Sequence, residues 1–199
     1  MTTRLFTTLE EIAELFFQFG EEWALVGGLA VSAYVEPRFT RDIYVVVSVE
    51  GDGEAEAFVQ IWRNAGFAIA SVVEQERSGR LATIRSHRPG DEHRIVVDLM
   101  FASSGIEPEI AAEARDLELA PNLDVPVARP GHLVALKILS ADPETRPQDE
   151  LDLQQLVALI DEKERQSAQQ GLRLIEQRGY HRGRDLQKRL DDILGDESS

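Results

Sequence analysis

The sequence predicts an α/β fold in which a small mixed sheet is flanked by helices and followed by a helical C-terminal part. Three observations indicate this fold. Residues 43–49 form a β-branched, mostly apolar run that is typical of a central strand covered on both faces. Apolar residues recur at helical spacing in residues 7–19 and again in residues 54–64. Strand-like segments on either side of Arg88-Pro89-Gly90-Asp91 predict a hairpin.

The other N-terminal elements follow from short local signals. An apolar segment that leads into two glycines indicates a strand, and a proline ends the helix that comes next. These elements are, in order, a strand over 23–26, a helix over 29–34 that ends before Pro37, the helix over 54–64 closed by Gly66, and a strand over 67–73.

Helices dominate the second half of the predicted fold. In order, the sequence predicts the second hairpin arm to Phe101, a short helix over 107–114, an extended segment over 121–127, a turn at Arg129-Pro130-Gly131, helices over 133–140 and 151–163, and one or two helices in the polar tail from Glu164. We therefore divide the chain into a core at residues 1–128 and a helical part at residues 129–199 that packs on the core.

Composition excludes several classes of protein. The 199 residues are 43% hydrophobic and 29% charged and contain no cysteine, which excludes disulfides and thiolate metal sites. We find no signal sequence and no apolar run long enough to span a membrane, so we expect a cytoplasmic protein. The net charge of −15 argues against indiscriminate binding to nucleic acid. Arginine and lysine are nevertheless enriched at 77–94 and 163–189, either as solvated faces or as polyanion-binding surfaces.

One motif lies at the start of the predicted core. Gly27 and Gly28 form a turn before a short helix, and such a turn directs backbone N–H groups towards a phosphate. The next strand opens with Asp42. Because alternate residues of a strand share a face, Asp42 and Tyr44 point to the same side. Asp98 interrupts a second apolar strand, where a charge is costly unless it is paired or bound to metal.

The segments Ala24–Ser32 and Glu36–Ile43 resemble the nucleotidyltransferase superfamily with the polymerase-beta-like fold, and most closely its AbiEii-type toxins. The resemblance extends roughly over residues 8–160. It implies an enzyme that uses Mg²⁺ to transfer a nucleoside monophosphate from an NTP to an acceptor such as tRNA. It also implies a toxin–antitoxin pair, and hence a cognate antitoxin as a partner.

The same resemblance assigns the metal-binding positions. It implies that Asp42 and Asp98 bind metal and that Tyr44 stands where the family has its second carboxylate. Two Mg²⁺ ions activate the attacking oxygen and hold the leaving pyrophosphate in such enzymes. A phenol is neutral at pH 7 and is a poor ligand for Mg²⁺. We therefore expect the site to lack one metal, with the tyrosine ring lying partly in its place.

Tyr44 has three interpretations. The chain is a natural degenerate member that binds without catalysis, or an inactivated variant of an active toxin, or Tyr44 is an ordinary strand aromatic and the match is accidental. Asp98 has an alternative too, as a carboxylate that bonds a loop arginine or a backbone N–H.

Two further positions are candidates for binding the nucleotide. Ser32 is either a phosphate donor or a small packing residue. Arg41, like Arg38, flanks the site and either meets phosphates or pairs with Asp42 or a neighbour.

The C-terminal half adds a lysine and two acids. Lys137 lies in an apolar helix, and Arg146-Pro-Gln148-Asp149 is followed by Asp152. This arrangement resembles the family's lysine helix and its Arg-x-Lys-Asp-x-x-Asp motif, with Gln148 replacing the lysine. The resemblance implies that Lys137 binds the triphosphate and that Asp149 or Asp152 occupies a supporting position near it. The alternatives are a solvated lysine and a helix cap at Asp149.

Two classes of function follow. The first is a nucleotidyltransferase, whose acceptor is tRNA or, in a related alternative, an antibiotic. The second is a non-catalytic module that binds a nucleotide or a partner and that lost its chemistry with the second carboxylate.

Overall fold

The computed structural model describes residues 2–36, 40–91, 95–140 and 147–196. Its strands are β1 Trp23–Val26, β2 Asp42–Val47, β3 Ala68–Glu74, β4 Leu81–His87, β5 Val96–Met100, β6 Arg115–Ala120 and β7 Leu123–Val127. Its helices are α1 Thr2–Phe19, α2 Gly27–Val31, α3 Asp52–Asn64, α4 Glu107–Ala112, α5 Pro130–Ser140, α6 Pro147–Leu159, α7 Glu162–Gln177 and α8 Leu186–Asp196.

The described strands form one mixed sheet in the order β3-β4-β5-β2-β1-β7-β6. β2 lies at its centre, antiparallel to β1 and parallel to β5. β4 and β5 form the antiparallel hairpin that the sequence predicts. Ile43 and Val45–Val47 are fully buried, which confirms β2 as a central strand covered on both faces. The α/β fold with a mixed sheet and flanking helices is therefore confirmed.

The register of β2 and β5 determines which side chains share a face. Asp42 pairs with Val96, and Tyr44 pairs with Asp98. Since paired residues in adjacent strands point to the same side, Asp42, Tyr44 and Asp98 project from one face of the sheet. Side chains of α5, which comes later in the chain, lie opposite this face.

Some element predictions were wrong. The helix predicted over 29–34 begins at Gly27 and ends at Val31, and Pro37 lies outside the described residues. The predicted turn at Pro130 is the start of α5, because a proline at the first helical position loses no hydrogen bond. β6 was missed because half of its residues, Asp116, Glu118 and Ala120, are of types that are rare in strands.

The helix predicted over 151–163 is two helices. α6 ends at Leu159, and α7 starts after Asp161, whose side chain accepts from the backbone N–H of Glu164 at 2.8 Å. An N-cap at this point supplies a partner for an N–H group that the helix itself leaves unpaired.

One hydrophobic cluster joins both halves of the chain. It includes an aromatic group in which Phe16 stacks on Trp23 and Phe58, with ring centroids 4.8 and 5.0 Å apart. Nine of the eleven residues of α5 are buried in the same structure. Within the described ranges, no helix has the length and apolar character needed to cross a membrane.

Candidate active site

A cleft of about 730 Å³ lies between the face of β2 and β5 that carries Asp42, Tyr44 and Asp98 and the helices α5 and α6. Its volume falls in the range of small-molecule sites. The described residues that line the cleft include the glycine turn, the three strand residues above, and groups from both halves of the chain: Gly27, Gly28, Asp42, Tyr44, Arg85, Asp98, Ser103, Ser104, Lys137, Asp149 and Arg182.

The glycine turn packs directly against Tyr44. Gly27 has a left-handed φ of +70°, and a Cβ atom added there would lie 2.7 Å from Cδ2 of Tyr44. The Tyr44 hydroxyl donates to Oδ2 of Asp42 at 3.4 Å. The ring thus fills the space between the turn and the first carboxylate, where a smaller acidic side chain would leave room.

Asp98 is bound by an arginine that the sequence analysis did not identify. Arg85 donates through Nε to Oδ1 at 2.9 Å and through Nη2 to Oδ2 at 2.8 Å. The Asp98 side chain is 3% exposed and the Arg85 side chain 49%. The hydrogen bond to Asp98 raises the pKa of Arg85, against the opposing effect of burial, and Tyr44 and Asp42 raise it further. The arginine comes from β4 and not from a loop.

The residues in this arrangement do not fit a divalent metal ion. Asp42 accepts from Tyr44, and both oxygens of Asp98 accept from Arg85. Among the described residues there is also no group of three or more acidic, histidine or cysteine side chains that could hold a metal. Mg²⁺ requires several oxygen ligands in octahedral geometry, and Tyr44 supplies a neutral phenol instead.

Lys137 forms a buried ion triad with the two acids that the sequence analysis grouped with it. Its Nζ atom donates to Asp149 Oδ1 at 2.6 Å and to Asp152 Oδ2 at 2.7 Å. Ser140 donates to Asp149 and Gln148 to Asp152, at 3.3 and 3.4 Å. Lys137 and Asp149 line the cleft, whereas Asp152 is fully buried behind them.

Two predicted phosphate-binding residues are not among the described residues that line the cleft. Ser32 donates its hydroxyl to the carbonyl of Gly28 at 2.9 Å, as small polar residues in helices often do. Arg41 is exposed and lies just before β2. Arg38 lies outside the described residues. Arg182, which the sequence analysis considered only as part of a basic tail, lines the cleft from the turn before α8.

The arginines of the segment 77–94 are largely paired within the protein. Arg80 pairs with Asp52, Arg85 with Asp98, and Arg88 with Glu11, while Arg94 lies outside the described residues. In the second basic segment, ion pairs form between Arg178 and Glu109, Lys188 and Asp192, and Arg189 and Glu150. These pairs reduce the positive charge that either segment presents to a polyanion.

Comparison with known proteins supports the expected family. The family model described as nucleotidyl transferase AbiEii toxin, type IV TA system, matches residues 13–198. Sequence comparison with curated proteins gave no match.

Solved structures show the same fold. One is an antigenic nucleotidyltransferase-like protein from Paracoccidioides brasiliensis, with a TM-score of 0.54, 18% identity, and coverage of 96% of this chain and 92% of that one. Another is ANT(2")-Ia in complex with adenylyl-2"-tobramycin, with a TM-score of 0.54, 16% identity, and coverage of 88% and 98%. The chain has a nucleotidyltransferase fold and belongs to the AbiEii family of nucleotidyl transferase toxins.

Proposed function

We propose that the cleft binds a nucleoside triphosphate and that the chain is a toxin nucleotidyltransferase whose transfer step is suppressed by Tyr44. The observation that carries the proposal is the position of Tyr44. It follows Asp42 on β2 and pairs with Asp98 on β5, on the face of the sheet that forms the cleft, and its ring abuts the glycine turn. This position supports a family-type site in which a phenol stands where a carboxylate is needed.

The phosphates have candidate partners in the lining of the cleft. Gly27 and Gly28, through their backbone N–H groups, and Lys137, through its ammonium group, all line it. Asp149 and Asp152 hold Lys137 in place, so the lysine does not need to be ordered when the nucleotide binds. Their charges offset that of the lysine, and we assign them to positioning.

We propose tRNA as the acceptor, within the cytoplasm and under the control of a cognate antitoxin, because the chain belongs to a toxin family. The ion-paired arginines and the net charge of −15 favour a second candidate. A small, uncharged or cationic acceptor, as in antibiotic modification, would not be repelled by this surface.

The deciding experiment is the substitution Tyr44→Asp. We expect NTP-dependent labelling of total RNA to rise about 10- to 100-fold, the range that a group supporting a metal site commonly contributes. Growth of the expressing cells should slow in parallel. Transfer of label from an α-labelled NTP, with Mg²⁺ present, is the measurement.

Tyr44→Phe is the matched control, because it keeps the ring and removes only the hydroxyl. It should leave labelling at the level of the unmodified chain. Direct binding of each NTP by equilibrium dialysis tests the cleft itself. If no NTP binds and neither RNA nor an aminoglycoside is labelled by the Tyr44→Asp protein, the transferase proposal is wrong. Binding without labelling would favour the non-catalytic module.

A further inference from the structure

We infer that Arg85 competes with a divalent metal ion for Asp98, so that this chain holds a guanidinium group where a metal ligand is needed. The inference deepens the proposed function and rests on it, since it concerns the same cleft. It adds a second obstacle to metal binding that is independent of Tyr44. In a Tyr44→Asp variant, Asp98 is therefore still bound by Arg85.

The contact between Arg85 and Asp98 is geometrically specific. Arg85 and Asp98 are directly paired across β4 and β5, and the two N–H groups of the guanidinium take one carboxylate oxygen each. Paired, charge-assisted hydrogen bonds of this kind are among the strongest in proteins. The pairing of β4 with β5 places the two side chains next to each other on the sheet.

The cleft already supplies cationic partners for two of its acids. Its described lining contains the acids Asp42, Asp98 and Asp149 and the cations Arg85, Lys137 and Arg182, three of each. Arg85 pairs with Asp98, and Lys137 is shared between Asp149 and the buried Asp152. A divalent cation that binds Asp98 must therefore displace Arg85.

The exposure of the two side chains makes this a competition and not a permanent block. Asp98 is 3% exposed and cannot turn to solvent, whereas Arg85 is 49% exposed and can swing out into water. The apparent affinity for a metal falls in proportion to the fraction of molecules in which Arg85 has left Asp98. Hydrogen bonds to charged groups of this strength correspond to a factor of about 10 to 100.

The test measures Mn²⁺ binding to the full chain by electron paramagnetic resonance, with no nucleotide or acceptor present. Four proteins are compared: the unmodified chain, Tyr44→Asp, Arg85→Gln, and the double variant. We expect the double variant to bind Mn²⁺ about 10- to 100-fold more tightly than Tyr44→Asp alone. Equal affinities of the double variant and Tyr44→Asp would overturn the inference.

Arg80→Gln, made in the Tyr44→Asp background, is the matched control. Arg80 lies immediately before β4 and is also in an ion pair, but its partner is Asp52 and it is not among the described residues lining the cleft. Its loss should leave Mn²⁺ affinity unchanged. An equal gain from Arg80→Gln would mean that bulk charge, and not competition at Asp98, controls the affinity, which also overturns the inference.

Arg85→Gln leaves a buried carboxylate without its partner, and this variant could fail to fold. Arg85→Lys in the Tyr44→Asp background therefore serves as a second variant, because a lysine keeps the charge but loses the two-pronged contact. It should raise Mn²⁺ affinity by a smaller factor, and no rise in a folded protein would contradict the inference. The proposed function fails separately, through absence of NTP binding and of label transfer.

Discussion

At the scale of single residues, the contact between Gly27 and Tyr44 joins the glycine turn to the strand that carries the site. Gly27 has two reasons to be glycine. Its φ of +70° is costly for any residue with a Cβ atom, and the Tyr44 ring occupies the space into which a Cβ would project. These two costs can be separated by experiment, because only the second depends on the tyrosine.

Gly27→Ala should lower the free energy of unfolding by about 2–4 kcal/mol, which combines about 1 kcal/mol for the left-handed backbone with the cost of overpacking. In a Tyr44→Ala background the same substitution should cost only about 1 kcal/mol. Urea denaturation of the four proteins gives both numbers. Gly53→Ala, at an exposed position of α3 with no neighbouring atom within 4 Å, should instead stabilise by about 0.5–1 kcal/mol. The same cost for Gly27→Ala in both backgrounds would exclude the steric contribution of Tyr44.

The sequence was informative about some residues of the cleft and silent about others. Strand alternation predicted that Asp42 and Tyr44 share a face, and the paired register of β2 and β5 brings Asp98 to that face. Arg85 was missed because the hairpin connection is long, and only short turns fix which residues pair across two strands. Its identity as a partner of Asp98 depends on that pairing.

At the scale of elements, the junction of α5 and α7 depends on one buried carboxylate. Glu164 accepts from the backbone N–H of Gly131 at 3.1 Å and from Arg129 and Arg115 at 3.0 and 2.7 Å. A side chain at Gly131 would collide with the backbone of Glu164, so the helices meet closely. The sequence could not predict this junction, because Pro130-Gly131 is also a common turn sequence.

Two groups make this junction sensitive to acid. Burial alone would raise the pKa of Glu164, but the N–H of Gly131 and the guanidinium of Arg129 outweigh it and hold that pKa below its usual range. Burial lowers the pKa of His132, with Glu113 opposing the shift. In both cases the unfolded chain binds the proton more readily than the folded protein does. Stability is therefore complete at higher pH and is lost as pH falls.

We expect the free energy of unfolding to fall below about pH 6.5 through His132 and more steeply below about pH 4.5 through Glu164, by up to about 1.4 kcal/mol per pH unit for each group. His132→Gln should remove the first decline and leave the second. Glu164→Gln should lower stability at pH 7 and flatten the second. Urea midpoints between about pH 2 and pH 8 provide the measurement. A first decline that persists in His132→Gln would assign it to another group.

At the scale of the whole molecule, the fold class was predictable because the strongest sequence signals lie in its centre. The β-branched run became β2, and the helical spacing at 54–64 became α3, which extends from Asp52 to Asn64. The division into a core at 1–128 and a helical part at 129–199 remains a prediction. The last described strand ends at Val127, but one hydrophobic cluster contains buried residues from both parts, from Leu5 to Leu190. Packing, and not the end of the sheet, decides whether the parts unfold together.

The continuous cluster predicts a single cooperative unfolding transition. Both tryptophans, Trp23 and Trp62, lie in the N-terminal core, whereas much of the helical structure lies beyond residue 129. Tryptophan fluorescence and far-ultraviolet circular dichroism should therefore give coincident urea curves, the accepted test of two-state behaviour. A fragment of residues 1–128 should not fold alone, because it lacks α5, nine of whose eleven residues are buried in the full chain. Loss of helix before loss of tryptophan burial would show instead that the helical part unfolds as a separate unit.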